Sequence, residues 1–147
     1  MPECATKRCG ARGLDMEHAL KKIMLVEDEP DIQLVTRLGL EVGGGYEVRV
    51  CASGAEALES APAYAPDLIL LDMMMPGMDG PATMDALRKL PGLAAIPVVF
   101  FTANTQCQTR QDLLRRGALD IIVKPIEPSA LVAQVRAIWQ RLQSGAA

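Results

Sequence analysis

Four short, continuously apolar runs, each ending on a polar residue, recur along the chain with helical patterns between them. Ile23-Met24-Leu25-Val26 ends at Glu27-Asp28, and Leu68-Ile69-Leu70-Leu71 ends at Asp72. Val98-Val99-Phe100-Phe101 ends at Thr102, and Ile121-Ile122-Val123 ends at Lys124-Pro125. A strand with no polar residue inside it is covered on both faces, as in the parallel sheets of α/β proteins. A fifth run reads differently. Tyr46, Val48 and Val50 alternate with Glu47 and Arg49, the period of a half-exposed edge strand.

The intervening segments read as helices. The first has Pro30 in its opening turn, where a missing N–H costs nothing. Its inward face is expected to be Ile32, Val35, Leu38 and Val42, with Gly43-Gly44-Gly45 as the stop. Ser53-Gly54-Ala55-Glu56 has capping-box spacing and opens the second helix, which carries Ala57, Leu58 and Ala61 and exits at Pro62 and Pro66. The third begins near Gly80-Pro81, and the fourth runs from Gln108 to Arg116. The last starts around Pro128 and sets Leu131, Val135, Ile138 and Leu142 on one stripe.

Strands alternating with helices require right-handed crossovers and a parallel sheet with helices on both faces. With the alternating strand at an edge, the expected architecture is α/β: a flavodoxin-like, doubly wound, five-stranded parallel sheet of order 2-1-3-4-5 with five helices. Ligands of such sheets bind beyond the carboxyl ends of the strands, at the switch point between strands one and three. Glu27, Asp28 and Asp72 end those two strands, so the topology alone brings three acids together.

Composition narrows the function classes. A domain of roughly 150 residues buries about 70% of its unfolded surface, and half of these 147 residues are hydrophobic. A full core therefore needs no staples. The net charge of -3 leaves no footprint for nucleic acid. No apolar stretch reaches the roughly 18 residues of a membrane span. Cys4, Cys9, Cys51 and Cys107 lack the spacing of a disulfide framework or, with the single His18, of a zinc site. They read as reduced thiols of a cytoplasmic protein. Residues 1–20 lack the apolar region of a signal peptide and are set aside as a disordered tail or added extension. Residues 21–143 are expected to form the domain and 144–147 a C-terminal tail.

Three carboxylates at one rim repel one another, and a hard divalent cation resolves the repulsion. Mg²⁺ (or Mn²⁺) takes about six oxygen ligands and is usually held by one or two carboxylates plus a phosphate. Asp28 and Asp72 are the direct ligands, Glu27 reaches through water, and the backbone carbonyl of Met74 completes the sphere. A carboxylate can also act as a nucleophile toward phosphorus. Phosphoryl transfer then needs in-line positioning and compensation of charge on the equatorial oxygens. The Lys124 ammonium suits one of those oxygens, and the Thr102 hydroxyl with the Ala103 N–H suits another. The Lys124-Pro125 bond is a cis candidate, since a sharp turn there aims the lysine inward.

Met24-Leu25-Val26-Glu27-Asp28-Glu29, Leu70-Leu71-Asp72 through Gly80, Phe101-Thr102-Ala103 and Gly117 through Pro125 together resemble the receiver domain of two-component response regulators. The resemblance runs from about Lys22 to Leu142. It implies that Asp72 accepts a phosphoryl group from a histidine kinase or a histidine phosphotransfer protein. It further implies that Glu27 and Asp28 hold the metal, Thr102 is the switch hydroxyl and Lys124 binds the phosphate. The protein would be a signalling phosphoacceptor rather than an enzyme, speaking to a downstream protein through the face of the fourth helix, fifth strand and last helix. One position departs: Ile121 stands where most receivers carry Tyr or Phe, and a β-branched side chain is stiff at χ1. The exposed candidates for docking or dimerisation are Arg110, Arg115, Arg116, Ile126, Arg136 and Trp139, with a solvated face as the alternative for the charges and a core role for Trp139.

Two other readings compete. A haloacid-dehalogenase-like phosphatase also uses a strand-end Asp, but it needs a second acid two residues on, where this chain has Met74. A degenerate receiver would serve as a phosphorylation-independent interaction module, and Ile121 is the feature that favours it. The chain ends soon after Lys124-Pro125, as expected of a stand-alone receiver or one cut from a longer regulator.

Overall fold

The computed structural model describes residues 19–143 apart from 74, 76, 103–106 and 125–126, with backbone only for 107–109. Met74, Ala103, Asn104, Pro125 and Ile126 thus lie outside the described residues, as do Cys4, Cys9 and His18. So do the metal-ligating carbonyl and the cis peptide bond expected there.

Five strands, β1 (Lys22–Val26), β2 (Glu47–Cys51), β3 (Leu68–Asp72), β4 (Val98–Thr102) and β5 (Asp120–Val123), form one parallel sheet. Their order is β2-β1-β3-β4-β5, as expected. The three central strands are apolar because both of their faces are covered. Met24, Val26, Ile69, Leu71, Val98 and Phe100 point into one core layer. Ile23, Leu25, Leu68, Leu70, Val99 and Phe101 point into the other. Helices α2 (Gly54–Tyr64), α3 (Gly80–Arg88) and α4 (Cys107–Arg115) close the first layer. Helices α1 (Pro30–Leu38) and α5 (Pro128–Gln143) close the second. At the amino end of the sheet, Asp67 Oδ2 accepts from the backbone N–H groups of Lys21 and Lys22 at 3.1 and 3.0 Å. These bonds help pin the register of β1 against β3.

The capping box forms. Glu56 N–H donates to Ser53 Oγ at 3.1 Å, and Glu56 Oε1 accepts from the Ala52 N–H at 2.9 Å. Pro62, expected at the exit of α2, instead lies within its last turn. Asp79 caps α3 by accepting from the Ala82 N–H at 3.0 Å.

The inward face of α1 differs from the expected one. Val35, Leu38 and Val42 are exposed, Val42 to 81%, while Thr36, Gly39 and Leu40 are buried. The helix carries two apolar stripes, and the one facing the core is disguised by a threonine and a glycine. Gly39 opens a π-helical turn, Gly39–Gly43. A Cβ at Gly39 would lie 2.7 Å from Pro128 Cβ, so α1 and α5 approach almost backbone to backbone. The displaced side chains become walls of an open groove of about 710 Å³ lined by Val35, Leu38, Val42, Val132 and Arg136. Trp139 belongs to the core, 6% exposed.

Candidate functional site

The carboxyl ends of β1, β3, β4 and β5 deliver their terminal polar side chains to one rim. In-register pairing of Asp72 with Phe101 and of Thr102 with Val123 sets the heights of these residues. Glu27 is fully buried, and Asp72 and Thr102 are nearly so. Glu27, Asp28 and Asp72 each offer a carboxylate oxygen within 4.8 Å of the others. The Glu27 segment is tied down at several points. Its N–H donates to Cys51 O at 3.0 Å, and its carbonyl accepts from Gln33 Nε2 at 2.6 Å. Its side chain accepts from the Glu29 N–H at 3.2 Å.

Lys124 enters this acidic pocket from β5. Its Nζ lies 2.8 Å from Glu27 Oε1 and 3.1 Å from Asp72 Oδ1. It also stands 5.1 Å from the centre of the Phe101 ring, a cation–π distance. Three carboxylates and one ammonium leave a formal excess of two negative charges. A hard divalent ion with oxygen preference matches that excess, so the donor set fits Mg²⁺.

The electrostatics follow from burial. Burial pushes the Glu27 carboxyl above its ordinary pKa, the Lys124 hydrogen bond opposes this, and the Asp72 charge adds to the rise. Burial alone would lower Lys124, but its bonds to Glu27 and Asp72 outweigh it, and the ammonium is held above its ordinary pKa. The linkage sign is the same for both groups. Glu27 contributes stability in its protonated form, and that stability is lost as pH rises through its raised folded-state pKa. Lys124 keeps its contribution through neutral pH and loses it only above the ordinary lysine range. Glu27→Gln is therefore expected to flatten the fall in melting temperature of the metal-free protein as pH rises toward neutral, although its amide NH2 must face a donor, Lys124 Nζ or the Glu29 N–H. The same change should shrink the gain that saturating Mg²⁺ gives the parent. Scanning calorimetry with Mg²⁺ or EDTA checks both.

The sequence residues thus fall where the topology put them: Glu27, Asp28, Asp72, Thr102 and Lys124 share the rim. Ile121 does not face solvent. It is 7% exposed and packs in the core layer that also holds Leu113. Three contributors escaped the sequence reading. The Thr102 hydroxyl donates to Met73 Sδ across 3.8 Å, a long, weak bond. Phe101 supplies the ring beside Lys124. Gly80 lets the start of α3 press against the end of β3, its N–H donating to Met73 O at 2.9 Å. Only Gly80 left a signal, as a glycine next to a proline at a helix start.

Among known proteins, the family model for the response regulator receiver domain matches residues 23–136. The DNA-binding response regulator MtrA of Mycolicibacterium smegmatis is 36% identical over 126 residues, 86% of this chain and 54% of that protein. The transcriptional regulatory protein PrrA of Mycobacterium bovis is 37% identical over 125 residues, 85% of this chain and 52% of that protein. This chain thus spans about half the length of these relatives. The solved structure of the chemotaxis protein CheY4 of Vibrio cholerae superimposes with a TM-score of 0.76 at 30% identity, covering 82% of this chain and 99% of that one. No helix among the described residues is long and apolar enough to cross a membrane. The motifs at four strand ends, the sheet order and these relatives agree, and the chain belongs to the response regulator receiver domain family.

Proposed function

We propose that Asp72 is the phosphoacceptor of a Mg²⁺-dependent phosphorelay, loaded by a histidine kinase or a histidine phosphotransfer protein. The observation that carries this reading is the pocket itself: a nearly buried aspartate held 3.1 Å from an ammonium, beside two further acids. An Asp72 oxygen attacks the phosphorus of a phosphohistidine. The new P–O bond forms as the P–N bond breaks, and the imidazole leaves as the neutral base after taking up a proton. Bound at Glu27, Asp28 and Asp72, the metal would supply compensation for negative charge. Lys124 is already aimed at the acceptor and can follow the charge onto the phosphoryl oxygens. Thr102, one residue past Phe101 on the same rim, supplies a hydroxyl to another oxygen. The unit that does this is residues 21–143, and its message leaves through α4, β5 and α5, in the cytoplasm.

Incubating the full chain with acetyl phosphate and Mg²⁺ tests the reading. Intact-protein mass spectrometry is expected to show the gain of one phosphoryl group, mapped to Asp72 and lost when EDTA replaces Mg²⁺. An acyl-phosphate on another residue would overturn the assignment. No gain at all would make the chain a phosphorylation-independent interaction module.

A further inference from the structure

The three acids at the rim are not held alike. Glu27 Oε1 accepts from Lys124 and its Oε2 from the Glu29 N–H, while Asp72 Oδ1 accepts from Lys124. Asp28 stands in the same cluster and is only partly exposed, yet its carboxylate has no hydrogen bond or ion pair among the described residues. The position of Asp28 therefore depends on its main chain, and one side chain grips that main chain. Gln33, half-buried on α1, donates from Nε2 to the carbonyl of Glu27 at 2.6 Å. That carbonyl belongs to the peptide bond that joins Glu27 to Asp28. A peptide unit is planar and includes the next Cα, so holding its oxygen orients the step on which Asp28 stands.

The bond does nothing for the start of α1. The orphan groups at a helix N-terminus are N–H donors, which need acceptors. Gln33 offers a donor instead, and it reaches back past the first turn to a carbonyl of the preceding loop. Glu27 itself is already anchored, its N–H donating to Cys51 O at 3.0 Å. What Gln33 adds is the direction the chain takes from Glu27 to Asp28.

Any donor on a half-buried carbonyl adds some stability, and that would be a purely structural role. Two cations tell the roles apart. Mg²⁺ demands near-ideal octahedral geometry at about 2.0–2.1 Å, whereas Ca²⁺ accepts a larger, less regular shell at about 2.3–2.6 Å. Rigid placement of one carboxylate matters greatly to the first ion and little to the second.

We propose that Gln33 is a positioning residue for Asp28, and that its grip raises the affinity of the acid pocket for Mg²⁺ relative to Ca²⁺. The proposal deepens the function proposed above and rests on its Mg²⁺ site, not on the phosphoryl transfer.

Calorimetric titration of the full chain with Mg²⁺ or Ca²⁺ tests this with no phosphoryl donor present. Gln33→Met keeps the length of the side chain and loses the donor. It is expected to weaken Mg²⁺ binding about tenfold and Ca²⁺ binding no more than about twofold. Gln33→Glu also lacks the donor but adds a charge that favours both cations, and its ratio of Mg²⁺ to Ca²⁺ affinity should fall as well. Gln33→Lys restores a donor with the opposite charge, so both ions should weaken while the ratio stays near that of the parent. The ratio then follows the donor and not the charge.

An unchanged ratio in Gln33→Met and Gln33→Glu overturns the proposal. So does an equal loss of both ions in Gln33→Met, the mark of a loop that has merely loosened. Should Gln33→Met fail to fold, the contrast between Gln33→Glu and Gln33→Lys decides the matter. A parent that binds no Mg²⁺ overturns the metal site and the proposal together. The expected ratios in a parent that gains no mass from acetyl phosphate would overturn the phosphoacceptor reading and leave Gln33 in its role.

Discussion

Asp72→Asn is expected to keep the fold and lose all phosphoryl uptake from acetyl phosphate under conditions that load the parent. An amide oxygen is a poor nucleophile, and no other described acid sits within hydrogen-bond reach of Lys124 except Glu27. The fold should persist because the exchange removes a charge that opposes Glu27, while Lys124 keeps its 2.8 Å partner. Melting temperature no lower than the parent, together with an unchanged intact mass after incubation, is the expected pair of results. A mass gain that survives the substitution would move the chemistry to another side chain.

The second large effect concerns the backbone behind the acid. A Cβ at Gly80 would stand 2.8 Å from Met73 Cα and 2.8 Å from Phe100 Cε1, and closer still to the Asp72 carbonyl oxygen. Two of these neighbours are main-chain atoms of the strand end that carries Asp72, so neither can step aside cheaply. Gly80→Ala should cost about 3 kcal/mol, the upper part of the range for overpacking a core. For a chain of this size that lowers the melting temperature by about 10 °C. The folded fraction should also load phosphate more slowly, because relief of the clash pushes Asp72 off its mark. Calorimetry and a phosphorylation time course measure the two parts separately. A melting temperature within a degree or so of the parent would show that α3 can slide without disturbing β3.

Much of this was legible because it is written in local pattern. Leu68 to Leu71 could only be a central strand, and the alternation through Glu47 and Arg49 could only be an edge. Those two facts largely decided the strand order, and the order decided that Glu27, Asp28 and Asp72 would meet. The face of α1 was not legible in the same way. Periodicity reads apolar residues, and there the core side is Thr36, Gly39 and Leu40, with Val35, Leu38 and Val42 left outside. Close helix packing through a glycine has no hydrophobic signature. The contacts of Thr102 with Met73 and of Asp120 with Arg110 and Arg141 were equally hidden. They depend on which side chains meet across separate elements, and spacing along the chain does not encode that.

The pairing of Lys124 with Glu27 joins residues 97 positions apart, the first strand to the last. Parallel sheets assemble through such distant contacts, which form late because long loops must close first. A chain still emerging from the ribosome can build β1 and β3, and so gather the acids, but it has no ammonium to balance them until β5 arrives. On the phosphoacceptor reading proposed above, competence to receive phosphate would come only when β5 joins the sheet, and a half-made chain would take up no phosphoryl group.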